Sequence, residues 1–357
     1  MTFNLLFAVD KSRFFHISQF SDALEKKGIK CKIIDDLDIY DAKYAERKYL
    51  RWLKKPEKLQ KILEEFKPDA VFTERVSHLS SLMLKLNVPL IIFLRGDYWN
   101  EVKWAKETLD KKTNEQVEIW VKDRVAERCF RESTLILPIC RYLEEIVKKR
   151  YPKNEIHCLY QGIDSTDWFE KQNMKFKHPC VGLLQGATIW EKTKELLVLP
   201  MILEKLPDIH FYWAGDGIYR DRVLPKLEKF ENFHWLGALE YPDKVREFLS
   251  EIDVYALLSG IDMSPHTILE ASLMKKPIIA TDIGGISESV SKENGFLIKK
   301  GDYENWVDKI SLLLENENML RLMGENSHKF VKNNFLWNKI ADDFIDILTQ
   351  KTNLIKE

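Results

Sequence analysis

No run in this 357-residue chain approaches the ~18 consecutive apolar residues that a membrane-spanning helix requires. The opening stretch from Asn4 to Val9 stops at Asp10, too short for the apolar core of a secretion signal, and it has no basic flank or small-residue cleavage site. The sequence therefore predicts a protein that stays in the cytoplasm, with any membrane contact peripheral and at the cytoplasmic face. The five cysteines, Cys31, Cys129, Cys140, Cys158 and Cys180, are odd in number and form no C-x-x-C pair. They read as reduced thiols and imply no zinc site. The eight histidines show neither His-x-His nor metal-ligand pairing. No Gly-x-Ser-x-Gly is present, so an esterase elbow has no support. Gly215-Asp216-Gly217 neither follows the first strand nor carries a third glycine, which disfavours a dinucleotide oxidoreductase. Net charge is also lacking: 55 Lys and Arg against 56 Asp and Glu leave −1, so no global field draws nucleic acid.

What is present is enough for two cores. The length suits two domains at about 150 residues each, and 45% of the residues are apolar. Charge divides between the halves: residues 1 to 165 carry 31 basic and 26 acidic side chains, the remainder 24 and 30. Short apolar runs alternate with longer amphipathic stretches, the pattern of strand-then-helix units on a parallel sheet. First-half strands are predicted at Leu5 to Val9, Cys31 to Ile34, Ala70 to Thr73, Leu90 to Leu94, Leu135 to Pro138 and Ile156 to Leu159, with a helix from Ile17 to Lys27 ending at Gly28. A second series begins near Val181 and continues at His210 to Ala214, Phe233 to Leu236, Val254 to Leu258, Ile278 to Thr281 and Gly295 to Ile298. Two successive doubly wound α/β domains follow, joined within Ser165 to His178, a polar stretch without a strand-like run. In such sheets ligands bind at the carboxyl ends of the strands, so the cleft between the domains is the default site.

The most informative segment runs from Ser259 to Ala271, directly after an apolar strand. Ser264 followed by Pro265 predicts a helix N-cap and a first-turn proline, with amides at His266 and Thr267 suited to a phosphate group. Asp262 and Glu270 bracket that position and suit sugar hydroxyls. The same residues also fit an ordinary capped strand-loop-helix.

This segment resembles the donor-site signature of the retaining family 4 glycosyltransferases, glycosyl transferases group 1, of GT-B fold. That signature is two glutamates separated by seven residues, then a strand and a glycine pair, here Lys276 to Glu288 with Gly284-Gly285. Tyr160-Gln161-Gly162-Ile163-Asp164 is similar to the family's Asn-Gly-Val-Asp at the end of the first domain. Ala214-Gly215-Asp216-Gly217 is similar to its Gly-x-Gly, and Asn334 to Trp337 to the start of a C-terminal helix crossing back to the first domain. The resemblance implies two Rossmann-like domains facing across a cleft. Their expected bounds are 1–164 for the acceptor side, 165–178 for the join, 179–336 for the donor side and 337–357 for the returning helix. It also implies transfer of a sugar from a nucleoside diphosphate sugar with retention, without metal or other cofactor, the domains closing on the substrates. In the family no side chain clearly serves as nucleophile, and the leaving phosphate is thought to take the acceptor's proton.

By the same resemblance, Glu270 holds the nucleotide ribose and Asp262 stands where the first glutamate would orient the sugar. Gly186-Ala187-Thr188 with Lys192 resembles a Gly-Arg followed five residues later by Lys, so Lys192 faces the diphosphate while Ala187 replaces the arginine. Arg95 and Arg220 are candidates to substitute for that cation. Gly215 and Gly217 belong to the donor site, and the base is read near Leu236 and Gly237. The first loop, from Asp10 to His16, lacks the family's glycine pair and offers Lys11, Arg13 and His16 to phosphate or acceptor.

On the acceptor side, Arg95-Gly96-Asp97-Tyr98-Trp99 follows a strand, with Arg95 in place of the family's histidine. An Arg, an Asp and two aromatics suit a sugar or an anionic acceptor, since rings stack on sugars and guanidinium forks to phosphate. A capped loop with core aromatics fits as well. Glu74, Arg75 and His78 occupy a similar loop. Acceptors consistent with this are a glycan, a lipid-linked saccharide or a small metabolite. Residues 43 to 61 hold eight Lys and Arg against Glu46 and Glu57, with Tyr44, Tyr49, Leu50, Trp52 and Leu53 interleaved. They suit an anionic membrane surface, and equally a solvated basic helix. Asp36-Leu37-Asp38 is read as an acidic loop and not as a metal-binding Asp-x-Asp. Two other readings stay open: a GT-B epimerase or phosphorylase, and a degenerate module that binds sugar nucleotides without turnover.

Overall fold

The structure, a computed structural model, describes residues 3–11, 14–40, 57–108, 113–352 and 354–355. Contacts divide the chain into two units, Met1–Gly162 with Trp337–Glu357, and Ile163–Leu336. Arg13 and most of the basic segment 43 to 61 lie outside the described residues.

The first unit is built on β1 (Asn4–Ala8), β2 (Lys30–Ile34), β3 (Ala70–Glu74), β4 (Leu90–Leu94) and β5 (Leu135–Pro138), all parallel in the order β2-β1-β3-β4-β5. β4 and β5 are buried along their whole length, as the two-sided cover of a parallel sheet requires. The helix Phe14–Glu25 ends through Gly28, whose φ of +90° lets the amide of Ile29 reach back to the carbonyl of Leu24. The helix Trp337–Asp346 belongs to this unit: Trp337 stacks on Phe20 at 5.2 Å and donates to Gln19 at 2.9 Å.

One expected strand is not formed. Residues 156 to 159 run beside β5 but make only a single bridge, Ile136 to Ile156. Leu159 donates to the carbonyl of Pro138 at 2.9 Å, yet Pro138 has no N–H to return the bond, so the ladder stops there.

The second unit is built on β6 (Cys180–Leu184), β7 (His210–Ala214), β8 (Phe233–Gly237), β9 (Val254–Leu257), β10 (Ile278–Thr281) and β11 (Gly295–Ile298), parallel in the order β11-β10-β9-β6-β7-β8. Its core holds Trp213 and Trp306, each fully buried. The segment 165 to 178 packs on this unit, so it is not a free connection. Phe176 stacks on Tyr212 at 3.9 Å, the amide of Lys171 donates to Ser250 Oγ at 2.9 Å, and Arg246 donates to the carbonyl of Asp167 at 2.7 Å.

Candidate functional site

The strand order of the second unit reverses at β6, with β7 on one side and β9 on the other. At such a switch point the loops leaving neighbouring strands part and open a crevice at the carboxyl edge. Both loops carry predicted residues: Lys192 follows β6, and Asp262 and Glu270 follow β9. The structure brings the first two together. Lys192 Nζ lies 2.9 Å from Asp262 Oδ2, with the lysine side chain 37% exposed and the aspartate 12%.

Backbone close approach sets that pair. The amide of Gly260 donates to the carbonyl of Lys192 at 3.2 Å, and a Cβ on Gly260 would lie 2.0 Å from the carbonyl oxygen of Glu191. On the far side the amide of Gly285 donates to the carbonyl of Asp262 at 3.0 Å. Gly284, at φ +60°, leaves no room for a Cβ, which would meet the same carbonyl at 1.9 Å. The glycine pair seen in the sequence thus clamps the aspartate's backbone.

The helix His266–Leu273 starts beside this pair. Its N-cap position is Pro265, extended at φ −69° and ψ 114°, and no side chain caps it. The expected cap at Ser264 is therefore corrected. Proline fixes its own φ and pushes the residue before it out of the helical region, so the helix begins one residue later and Ser264 stays in the loop. The first-turn amides of such a helix have no carbonyl partner within it, which leaves that end electropositive. Thr267 Oγ1 is held at 2.6 Å by the hydroxyl of fully buried Tyr255.

Glu270 is 4% exposed and accepts from His266 Nδ1 at 3.1 Å. Tyr241 donates a second hydrogen bond to it; burial first, and then that carboxylate, push the tyrosine pKa up. The far wall is the 215 to 219 loop. Ala187 is fully buried, its amide donating to the carbonyl of Asp216 and its carbonyl accepting from Tyr219, both at 2.9 Å. Gly217 permits this contact, since a Cβ there would lie 2.4 Å from the Ala187 carbonyl carbon, and Gly215 likewise faces Gln185. Gly186 approaches Asp216 without crowding, and Leu236 lies in β8, half-buried. Arg220, a candidate to replace the missing arginine, is engaged by Asp216 at 3.1 Å and Asp221 at 2.8 Å and stacks over Trp235.

Two residues of this site escape sequence reasoning. Gln185 follows β6 and ties it twice to the residue after β9, its Nε2 donating to the carbonyl of Leu258 at 2.8 Å and its Oε1 accepting from that residue's amide at 3.1 Å. Lys300, after β11, brings a second ammonium to the carbonyl of Gly260 at 3.5 Å. Neither sits in a motif, and Gln185's partner is 73 residues away.

The first unit gathers a different set. Arg95 leaves β4 and is bound by Glu74, the last residue of β3, and by Gln161 Oε1 at 2.6 Å. The arginine side chain is 16% exposed and the glutamate 4%. Asp97 caps the helix Tyr98–Thr108, accepting from the amide of Asn100 at 3.2 Å and its Nδ2 at 2.6 Å. Tyr98 and Trp99 pack on Phe130 at 5.5 and 5.3 Å, and Arg150 covers Trp99. Among the described acceptor-side candidates, Arg95 and Glu74 share a strand-end polar cluster, while His16 lies in the first turn of Phe14–Glu25. Asp36 and Asp38 lie in the helical turn Asp36–Ile39, where Asp38 Oδ2 accepts from the amide of Asp35 at 2.8 Å. Burial pushes the thiols of Cys31 and Cys129 up to about 12.

Residues 186–330 match the family model described as Glycosyl transferases group 1. An uncharacterised glycosyltransferase of Methanocaldococcus jannaschii is 26% identical over 214 residues, 58% of this chain and 57% of the relative. The chain spans little more than half the length of the first curated relatives it matches. Sucrose-phosphate synthase from Thermosynechococcus elongatus superposes with a TM-score of 0.75 at 15% identity, covering 98% of both chains. HepE from Anabaena in complex with UDP gives 0.68 at 14% identity, covering 98% of this chain and 100% of that one. These likenesses show the fold, that of GT-B glycosyltransferases. Lys192, Asp262 and Glu270 all lie inside the segment that matches the glycosyl transferases group 1 model, which falls within the second unit.

Proposed function

We propose that this protein transfers a sugar from a nucleoside diphosphate sugar to a hydroxyl acceptor, with retention and without metal. One observation carries the reading: a lysine and a carboxylate held together at a topological switch point, beside the open end of a helix. The diphosphate lies on the helix start at Ser264 to Thr267, where Lys192 leaves Asp262 to meet the charge that develops as the sugar departs. Donors aimed at such charge contribute ~3 to 4 kcal/mol each where water is excluded. Glu270, oriented by His266 and Tyr241, accepts from ribose hydroxyls, and Asp262 then orients the sugar. The bond from the anomeric carbon to the diphosphate oxygen breaks, a bond to the acceptor oxygen forms on the same face, and the acceptor proton passes to the leaving diphosphate. UDP is the first nucleotide to test, since the similar HepE structure contains it. The membrane reading of residues 43 to 61 and the cytoplasmic location belong to this proposal as well.

A second reading, binding without turnover, is favoured by one observation. Ala187 is fully buried, so nothing stands where the family places an arginine. A thermal-shift panel of UDP, GDP, ADP and dTDP with their sugars, without and with magnesium, separates the two when followed by donor turnover. Ligand at a hundred times its dissociation constant adds ~2.7 kcal/mol, a rise of a few degrees. A metal-independent shift lost in Glu270→Ala, with turnover, supports transfer. A shift without turnover supports the binding module, and silence across the panel overturns both.

A further inference from the structure

The amino edge of the second sheet carries a side-chain cluster that the strand-end chemistry does not use. His178 precedes β6, Cys180 opens it, and Asp253 precedes β9, the strand paired with β6. His178 Nδ1 lies 2.8 Å from Asp253 Oδ2 and 3.6 Å from Cys180 Sγ, and the three ligand-type atoms all fall within 4.8 Å of one another. Cys180 is fully buried, while the His178 side chain is 44% exposed, so the cluster has a closed floor and an open mouth.

We propose that His178 Nδ1, Cys180 Sγ and Asp253 Oδ2 form an exchangeable site for a borderline divalent cation, zinc, with water as the fourth ligand. Zinc–sulfur and zinc–nitrogen bonds of ~2.3 and ~2.0 Å at tetrahedral angles place S and N ~3.6 Å apart, and N and O ~3.3 Å apart. The first separation is already present; the second needs the histidine and aspartate to part by about half an ångström as metal replaces their hydrogen bond. Thiolate and imidazole together select zinc over magnesium or calcium. The ring's other nitrogen, Nε2, lies 3.7 Å from Glu251 Oε1, a carboxylate placed to accept the Nε2–H and so favour the tautomer whose Nδ1 lone pair is free to ligate. Binding displaces the thiol proton of Cys180 to solvent, leaving thiolate, carboxylate and dication in neutral balance.

Two features hold the cluster without metal and make the site exchangeable. The amide of Cys180 donates to Asp253 Oδ2 at 2.7 Å, and Lys276, whose ammonium donates to the carbonyls of Ser250 and Ile252, sets a positive charge toward Asp253 and Cys180. A bound ion would link the segment before β6 to the turn before β9, two places 73 residues apart in sequence.

The full chain, stripped with chelator and dialysed, is titrated with Co2+ and separately with Zn2+ and Mg2+. The expected result is one equivalent of Co2+ with a sulfur-to-cobalt charge-transfer band, and a midpoint raised by a few degrees with zinc but not magnesium. Band and shift are lost in Cys180→Ser and in His178→Ala, the second an exposed position whose loss leaves the core intact. No band in the wild type overturns the proposal and leaves Asp253 a turn clamp only. A band or shift that persists in both variants overturns it too, by placing the metal elsewhere.

Discussion

The two sheets present their carboxyl edges in different ways. In the second unit, Lys192 and Asp262 form a pair that water reaches, and their positions are set from behind by Gly260, Gly284 and Gly285. In the first unit, Glu74, Arg95 and Gln161 hold one another in a nearly closed network, and the adjacent Gly96 and Gly162 face the side chains of Glu101 and Trp337 and not a backbone carbonyl. Backbone placement holds the side chains of the second unit from behind, whereas in the first unit the guanidinium of Arg95 is taken up by Glu74 and Gln161. The first edge is therefore organised for structure and the second for chemistry, and substitutions in the two should have opposite signatures.

The largest stability effect is expected at Arg95. Arg95→Leu leaves the carboxylate of Glu74 buried without its cation, a change that costs ~3 to 5 kcal/mol when one partner of a buried pair is removed. The double variant Arg95→Leu with Glu74→Leu should recover most of the lost midpoint, which a thermal melt reads directly. Recovery of nothing would mean that the network is not the stabilising unit.

Lys192→Ala should invert that signature. The pair is partly exposed, so stability should change by less than ~1 kcal/mol, while turnover falls by about 10²- to 10³-fold with the lost charge stabilisation. Asp262→Glu should fall less than Lys192→Ala, because a carboxylate remains. An equal or larger loss in Asp262→Glu would remove Lys192 from the diphosphate role.

An intermediate stability effect is expected at Gln185, since Gln185→Leu leaves the Leu258 amide and carbonyl unpaired. Such a loss costs ~1 to 3 kcal/mol and should loosen the site, raising KM for the donor with kcat changed less.

The smallest effect is a pH dependence in the second unit, at the start of β7 and β8. His210 Nδ1 and His234 Nε2 lie 3.2 Å apart, and burial first, then neighbouring positive charge, lower both pKa values. A histidine with a depressed folded pKa binds fewer protons folded than unfolded. Its stability contribution is full above the unfolded value of about 6.5 and is lost as pH falls through the lower folded value. Melts with chelator present should therefore drop below about pH 6.5 more steeply in wild type than in His234→Gln.

Much of the fold was legible in the sequence because its strands are short apolar runs bounded by polar loops. The runs at Leu90 to Leu94, Leu135 to Pro138, His210 to Ala214, Ile278 to Thr281 and Gly295 to Ile298 form strands at those residues. Residues 156 to 159 misled because the interruption lies on the neighbouring strand, in the missing N–H of Pro138. The helix start after β9 was legible through local chemistry, a proline ahead of a helical run, although the cap falls on Pro265 and not on Ser264. Contacts between distant segments were not legible. Nothing near Arg95 announces that Glu74 and Gln161 neutralise and bind it, nor does Gln185 announce Leu258. His178 and Cys180 are two residues apart, but the aspartate that completes their cluster arrives 75 residues after the histidine.

The proposed role of Lys192 is to meet the second phosphate of a nucleotide at the switch point. Calorimetric titration of UDP and UMP into wild type and Lys192→Ala, in chelator, tests it most directly. Wild type is expected to prefer UDP over UMP by about tenfold or more, ~1.4 kcal/mol, and the preference to collapse in Lys192→Ala. An equal preference in both proteins would contradict it.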